Sequence, residues 1–306
     1  MKLRHYIYSL MIMISATSCY EDFINDYEYS SIGFSSQEPL RTVIADRDMT
    51  IAVGGAIGGK RGVDKNDWAE FKINPELLEG TGLHILPETH YTLSDKSTMK
   101  VSKSTIPVAD VTISFTDKFY EDVNSTKLYY ALPFEIESSS LDSILAGKET
   151  SIVAIKYIST YHGDYFYNGR IQEFNSDGTP ISDIISFKNK DDNQTKELVT
   201  ISANELCLYG LGDVLYDVVN GVTDVKMNLV LNNDKTVTLS QAEGGVKLLE
   251  GNGTYEYSYD EENLDSKMII NISYKYERGS KVYSVENEIL TRRQDPYREL
   301  RFEEWK

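Results

Sequence analysis

Cysteine is nearly missing from this chain, with 2 in 306 residues. Cys19 and Cys207 cannot build a disulfide framework, so the fold must rest on its apolar cores. Cys207, between Leu206 and Leu208, reads as a small core residue. Histidine is also scarce. Apart from His5 there are His84, His90 and His162. His84 and His90 are separated by Pro87 and do not have the one-face helical spacing of a zinc motif, and Glu88 does not complete one. There is no G-x-S-x-G elbow and no Cys–His pairing, so no catalytic residue, metal or cofactor is assigned. No apolar run approaches the roughly 20 residues of a spanning helix. Basic charge is short too: 31 Lys and Arg stand against 48 Asp and Glu, a net charge of −17. Such a surface repels phosphate backbones, which excludes nucleic acid as a partner.

What is present begins with an address. Lys2 and Arg4 precede the apolar run Ile7 to Ile14, followed by Ala16, Thr17, Ser18 and Cys19. This is the order of a secretory signal over residues 1–18. Acylation of Cys19 would make the mature protein a lipoprotein, anchored only through its lipid. Ala16 and Ser18 also fit an ordinary A-x-A-like cut, which would release a soluble protein. Without Lys2 and Arg4 the mature chain carries 29 basic and 48 acidic residues. Residues 19–30, with Glu21, Asp22, Asp26 and Glu28, read as an acidic tether.

The remainder reads as all-β. Short segments rich in Val, Ile, Thr, Tyr and Phe alternate and are broken by turn clusters. Ser31–Ser35, Thr50–Val53, Ala69–Ile73, Tyr91–Leu93, Asp110–Phe115, Tyr129–Ile136 and Ser151–Tyr157 predict an immunoglobulin-like β-sandwich over 31–158. Asn74 and Pro75 predict one helical turn. Over 159–306, eight segments from Tyr165–Phe174 to Lys281–Leu290 predict an antiparallel, lipocalin-like β-barrel or a second sandwich. Asn175–Gly178, Lys190–Asn193, Asn232–Lys235 and Gly251–Gly253 are expected turns, and Ser202–Leu208 is the one segment with a helical reading.

Gly54 to Arg61 (GGAIGGKR) nearly spells a phosphate loop, but Arg61 holds the place of the metal-binding hydroxyl and no helix pattern follows. A glycine loop between strands is expected instead. Acidic clusters at Asp64–Asp67, Asp191–Asn193 and Asp260–Glu262 lack the twelve-residue calcium-loop pattern and read as solvated turns. Tyrosine is the conspicuous excess, 22 in all. Tyr255, Tyr257 and Tyr259 share one strand face, as do Tyr165 and Tyr167. Such stripes can stack on sugar rings, line a cavity or fill cross-strand pairs. Trp68, Tyr165, Tyr167, Tyr257 and Trp305 are the candidate ligand-binding residues.

Four segments carry a resemblance in the first half: Ile32-Gly-Phe-Ser-Ser36, the Gly-Gly pair after Val53, Leu86-Pro-Glu-Thr-His-Tyr91 and Tyr130-Ala-Leu-Pro-Phe-Glu-Ile136. There the chain resembles the N-terminal β-sandwich of Bacteroides-type surface lipoproteins encoded in glycan-utilisation loci, also found ahead of family-18 endo-glycosidase barrels. Tyr161-His-Gly-Asp-Tyr165, Leu290-Thr-Arg-Arg293 and Phe302-Glu-Glu-Trp305 resemble the uncharacterised β-rich domain that often follows it. The resemblance implies a lipid-anchored, surface-exposed outer-membrane protein, accessory to glycan capture and to an outer-membrane glycan-import complex. It supplies no catalytic residues, and with the sequence running to Lys306 no hydrolase barrel is expected. Three functions are weighed: non-catalytic glycan binding, a carrier for a lipid or other apolar ligand inside the barrel, and a glycosidase.

Overall fold

The computed structural model describes residues 29–47, 49–60, 66–101, 106–263, 265–300 and 303–306. The signal segment, Cys19, most of the acidic tether and Arg61 therefore lie outside the described residues.

The chain is all-β, in two sheets with two separate apolar cores. The first sheet takes β1 (Ser31–Phe34), β2 (Pro39–Ile44), β3 (Thr50–Gly58), β4 (Trp68–Ile73), β5 (His84–Ile85), β6 (Tyr91–Leu93), β7 (Thr98–Val101), β8 (Val108–Phe115), β9 (Tyr130–Ser139), β10 (Ser143–Ile144) and β11 (Thr150–Ile158). They run in the order β10-β1-β3-β8-β7-β4-β9-β11-β2, with β5 on β9 and β6 on β8. The sheet curls as a half-barrel or sandwich over Phe34, Phe71, Met99, Ile113, Phe134 and Ile155. Alternation decides which face goes in: in β8 every second residue, Ala109, Val111, Ile113 and Phe115, is buried. The Asn74 side chain accepts the Glu76 N–H and caps a short 3-10 turn, Pro75–Leu78, as its sequence predicts.

The expected glycine loop is not a loop. β3 continues through Gly54, Gly55 and Gly58, and only Gly59, at φ +71°, leaves the extended region. The reason is close approach: a Cβ on Gly54 would sit 2.3 Å from the Ala109 carbonyl oxygen.

The second sheet takes β12 (Gly163–Asn175), β13 (Ile185–Lys188), β14 (Lys196–Thr200), β15 (Glu205–Tyr209), β16 (Lys226–Leu231), β17 (Thr236–Gln241), β18 (Lys247–Asp260), β19 (Asp265–Arg278) and β20 (Lys281–Arg292). β14 to β20 follow one another as neighbours, and β12 pairs with both β14 and β20. This closes an eight-stranded antiparallel barrel, the first of the two architectures expected for this half. β13 lies outside the ring, on the far part of β12.

Two local readings are corrected here. Ser202–Leu208 is not helical: β15 starts at Glu205, and Leu206 and Leu208 alternate into the barrel core. Gly251 and Gly253 are no turn but lie within the 14-residue β18. There a Cβ on Gly253 would meet Ile272 Cγ2 at 2.5 Å.

β11 ends at Ile158 and β12 starts at Gly163. Between them the Ser159 N–H donates to Thr200 Oγ1 (2.9 Å) and the Ser159 hydroxyl to the Ala203 carbonyl (2.6 Å). After β20 the chain makes one helical turn, Pro296–Glu299, and returns to the first sheet as β21 (Glu303–Glu304), which pairs with β2.

Candidate functional site

The face of β18 rises out of the barrel one tyrosine at a time. Tyr255 is buried, Tyr257 half-buried, and Tyr259 is 36% exposed. Beside Tyr259 stands Tyr297, 45% exposed, on the turn after β20. Both rings lie within cation–π distance of Arg47, which follows β2 in the first half of the chain. Its guanidinium carbon is 4.2 Å from the Tyr259 ring centroid and 5.4 Å from that of Tyr297. A planar cation in contact with two aromatic rings is an interaction that lysine reproduces poorly.

Asp295 holds this layer in place. Its side chain is fully buried. Arg47 Nη1 donates to both carboxylate oxygens at 2.6 Å, the Ser266 hydroxyl donates to one of them, and the Tyr297 N–H donates at 2.8 Å. The last bond caps the turn that carries Tyr297. Burial pushes the Asp295 carboxyl up, but the hydrogen bonds from Ser266, Arg47 and Tyr297 outweigh it, and the group titrates below its ordinary 3.8. Arg292, also buried, donates to Ser266 Oγ and to the Thr160 carbonyl (2.6 Å), tying the same cluster to the link between the sheets.

Against Tyr259 opens a cleft of about 400 Å³ whose rim includes Ser258, Asp260, Asn263, Asp265, Lys267 and Arg298. Asp260 turns inward on its own loop, accepting from the Glu262 and Asn263 N–H groups and from Asn263 Nδ2 (2.8 Å). Arg298 donates to the Asn263 carbonyl at 3.2 Å and lies 3.6 Å from Asp265. The cleft thus joins an aromatic ring to fixed donors and acceptors of both charges. A ring with an apolar C–H face and hydroxyls at its edge can use all three features at once.

The residues singled out from sequence are scattered. Tyr165 and Tyr167 point into the barrel, at 0% and 3% exposure, so neither ring can stack on a sugar at the surface. Both occupy alternate positions of β12, the ones that face the core. The Tyr165 hydroxyl donates to the Tyr161 carbonyl (2.7 Å), and Tyr167 lies 4.7 Å from Lys196 Nζ. Tyr257 is one step beneath Tyr259, its hydroxyl 3.2 Å from Thr160 Oγ1. Trp68 opens β4, half-buried, in the first sheet, whereas the strands that line the cleft belong to the second. Trp305 lies on the first sheet, its indole N–H donating to the Ile152 carbonyl at 2.9 Å. The site's principal members, Arg47, Asp295, Tyr297 and Arg298, escaped the sequence reading. Only Tyr259 carried a signal, as the last ring of the β18 stripe.

Tyrosines and aliphatic side chains form the barrel's core. Tyr165, Tyr167, Tyr255, Tyr274 and Tyr276 pack with Leu198, Leu208, Leu229, Ile270 and Leu290 in one cluster. An ion pair, Lys196 with Glu288, is buried among them.

A protein of unknown function from Bacteroides ovatus has the same fold, with a TM-score of 0.67 and 18% identity over 87% of this chain and 95% of that one. Similarity is weaker to a Bacteroides ovatus multidomain protein including DUF1735 (TM-score 0.45, 13% identity, 86% and 94% of the two chains). It is weaker also to an auxiliary nutrient binding protein from Bacteroides thetaiotaomicron (0.44, 14%, 82% and 90%). No family model and no curated protein matches the chain.

Proposed function

We propose that this chain is a non-catalytic glycan-binding lipoprotein, acylated on Cys19 and displayed at the outer membrane as an accessory to glycan uptake. The observation that carries the binding role is the Tyr259–Arg47–Tyr297 layer, held by the buried Asp295 beside a polar cleft. A sugar ring would lay its C–H face on Tyr259 and offer hydroxyls to Asp265, Asn263, Ser258 and Lys267. An outer-membrane import complex is the natural recipient of such a ligand. The anchor rests on the signal-like N-terminus and the acidic residues after Cys19.

Affinity electrophoresis tests the binding role. The mature protein should be retarded in a gel containing one of several soluble polysaccharides: α-mannan, galactomannan, xylan, pullulan or a β-1,3-glucan. Tyr259→Ala should weaken retention about tenfold, the scale of one lost stacking contact and one or two hydrogen bonds. Unchanged retention in that variant would remove the site. For the anchor, Cys19→Ala should move the protein from the membrane to the soluble fraction, and a variant that stayed in the membrane would refute acylation as the tether.

A further inference from the structure

A second cleft, of about 670 Å³, lies on the outer wall of the barrel over β12, β13 and β20. Its lining includes Asn168, Arg170, Ser186, Phe187, Asn189 and Asn287. The two flanking ladders are both irregular there. The β12–β20 register shifts between Asn168 and Arg170, and the β19–β20 register between Ile272 and Tyr274. Asn287 sits at φ +48°, one of three non-glycine residues in that region among those described. Such outliers persist only where the surroundings fix them, and they gather at binding sites.

The surroundings do fix them. The bulge turns Glu288 inward to Lys196, and Glu288 Oε2 accepts the Tyr274 hydroxyl at 2.5 Å. Lys196 Nζ also donates to the Gly212 carbonyl (2.8 Å) and lies 5.4 Å from the Phe187 ring. Gly169 leaves its backbone bare beneath that ring, where a Cβ would stand 2.7 Å from Phe187 Cζ. Phe187 is therefore a half-buried aromatic floor pinned from below. Around it are three carboxamides. That of Asn189 donates to the Asp191 carbonyl (3.1 Å), while those of Asn168 and Asn287 hydrogen-bond no protein group among the described residues. The Arg170 charge is matched by Glu286 at 3.2 Å.

We infer that this cleft is a second saccharide site, taking an uncharged sugar with its ring on Phe187 and its hydroxyls on Asn168, Asn287 and Ser186. Carboxamides donate and accept, as sugar hydroxyls do; the Arg170 charge is offset by Glu286, while Lys188 adds one ammonium to the lining, so the neutral class rests on the carboxamides and the Phe187 face. The cleft stands apart from the Tyr259 site. Along β12 the pair Tyr165–Arg292, on the side of that site, and the pair Arg170–Glu286, at this one, are separated by about 17 Å of strand. One polymer could engage both, which raises its retention without any new contact.

The same neutral polysaccharide gels test this. The variants are Asn168→Ala with Asn287→Gly, where glycine keeps the left-handed backbone while removing the carboxamide, and Tyr259→Ala alone. The wild type should be retarded, and the double variant retarded about tenfold less at an unchanged melting temperature. Retention unchanged in the double variant but lost in Tyr259→Ala overturns the second site and leaves the first. The reverse pattern supports the second and overturns the first. Failure of the wild type to be retarded by any of the polysaccharides overturns both. Retention only by a polygalacturonate gel overturns the uncharged class.

Discussion

Lys196 and Glu288 are the residues on which the barrel's interior geometry depends, since both charges are wholly out of water. Burial pulls the Lys196 ammonium below its ordinary value even with Glu288 beside it. An ion pair in this position adds little net stability but is costly to break. Lys196→Met should therefore destabilise the fold by about 3–5 kcal/mol, while Lys196→Met with Glu288→Leu recovers most of that loss. Urea unfolding of the three proteins checks it, and additive losses would contradict the argument. Asp295 makes a pH prediction. Its carboxyl titrates lower folded than unfolded, so it contributes stability that is full above its ordinary 3.8 and drains as pH falls through the folded value. Asp295→Asn should be less stable at neutral pH and lose less between pH 5 and about pH 2. Thermal melts across that range decide it, and parallel curves would sink the assignment.

At the scale of elements, glycine misleads most. Gly54 and Gly253 lie inside strands because neighbouring strands leave no room for a side chain, not because the backbone must turn. Gly54→Ala should cost about 1–3 kcal/mol through overpacking. Gly58→Ala, in the same strand with its nearest neighbour 3.7 Å away, should be neutral or stabilising by up to about 1 kcal/mol. Equal effects in chemical denaturation would dissolve the distinction. The long alternating strands were legible from sequence, since Val111, Ile113 and Phe115 or Ile270, Ile272 and Tyr274 show their period directly. β2, β5, β7 and β10 were not, being strands of two to six residues defined by their partners. The Tyr259 site was illegible for the same reason. Arg47 and Asp295 are 248 positions apart, and no local pattern announces their meeting.

Across the whole molecule, Arg47 and the β2–β21 pairing join the two halves of the chain, and Arg47 from the first half packs on the Tyr259 ring of a cleft lined by the second. Arg47→Ala would leave Asp295 short of its main cation and release both tyrosine rings. Calorimetry should then resolve the melting of the two cores, with glycan retention lost. An unchanged single transition with retained binding would show that the junction is incidental. The barrel's closure has one further consequence, for crowding. Eight of its nine strands satisfy one another around the ring, and β13 ends the sheet with Ile184 and Ile185 each 54% exposed. An open ladder beside apolar side chains is a template for copies of itself, and a charged residue on it acts as a guard. Lys188, on the same strand, is placed to be that guard. Lys188→Val should raise light scattering at high protein concentration while leaving the melting temperature alone, which would make this one ammonium group a determinant of how densely such molecules can stand side by side.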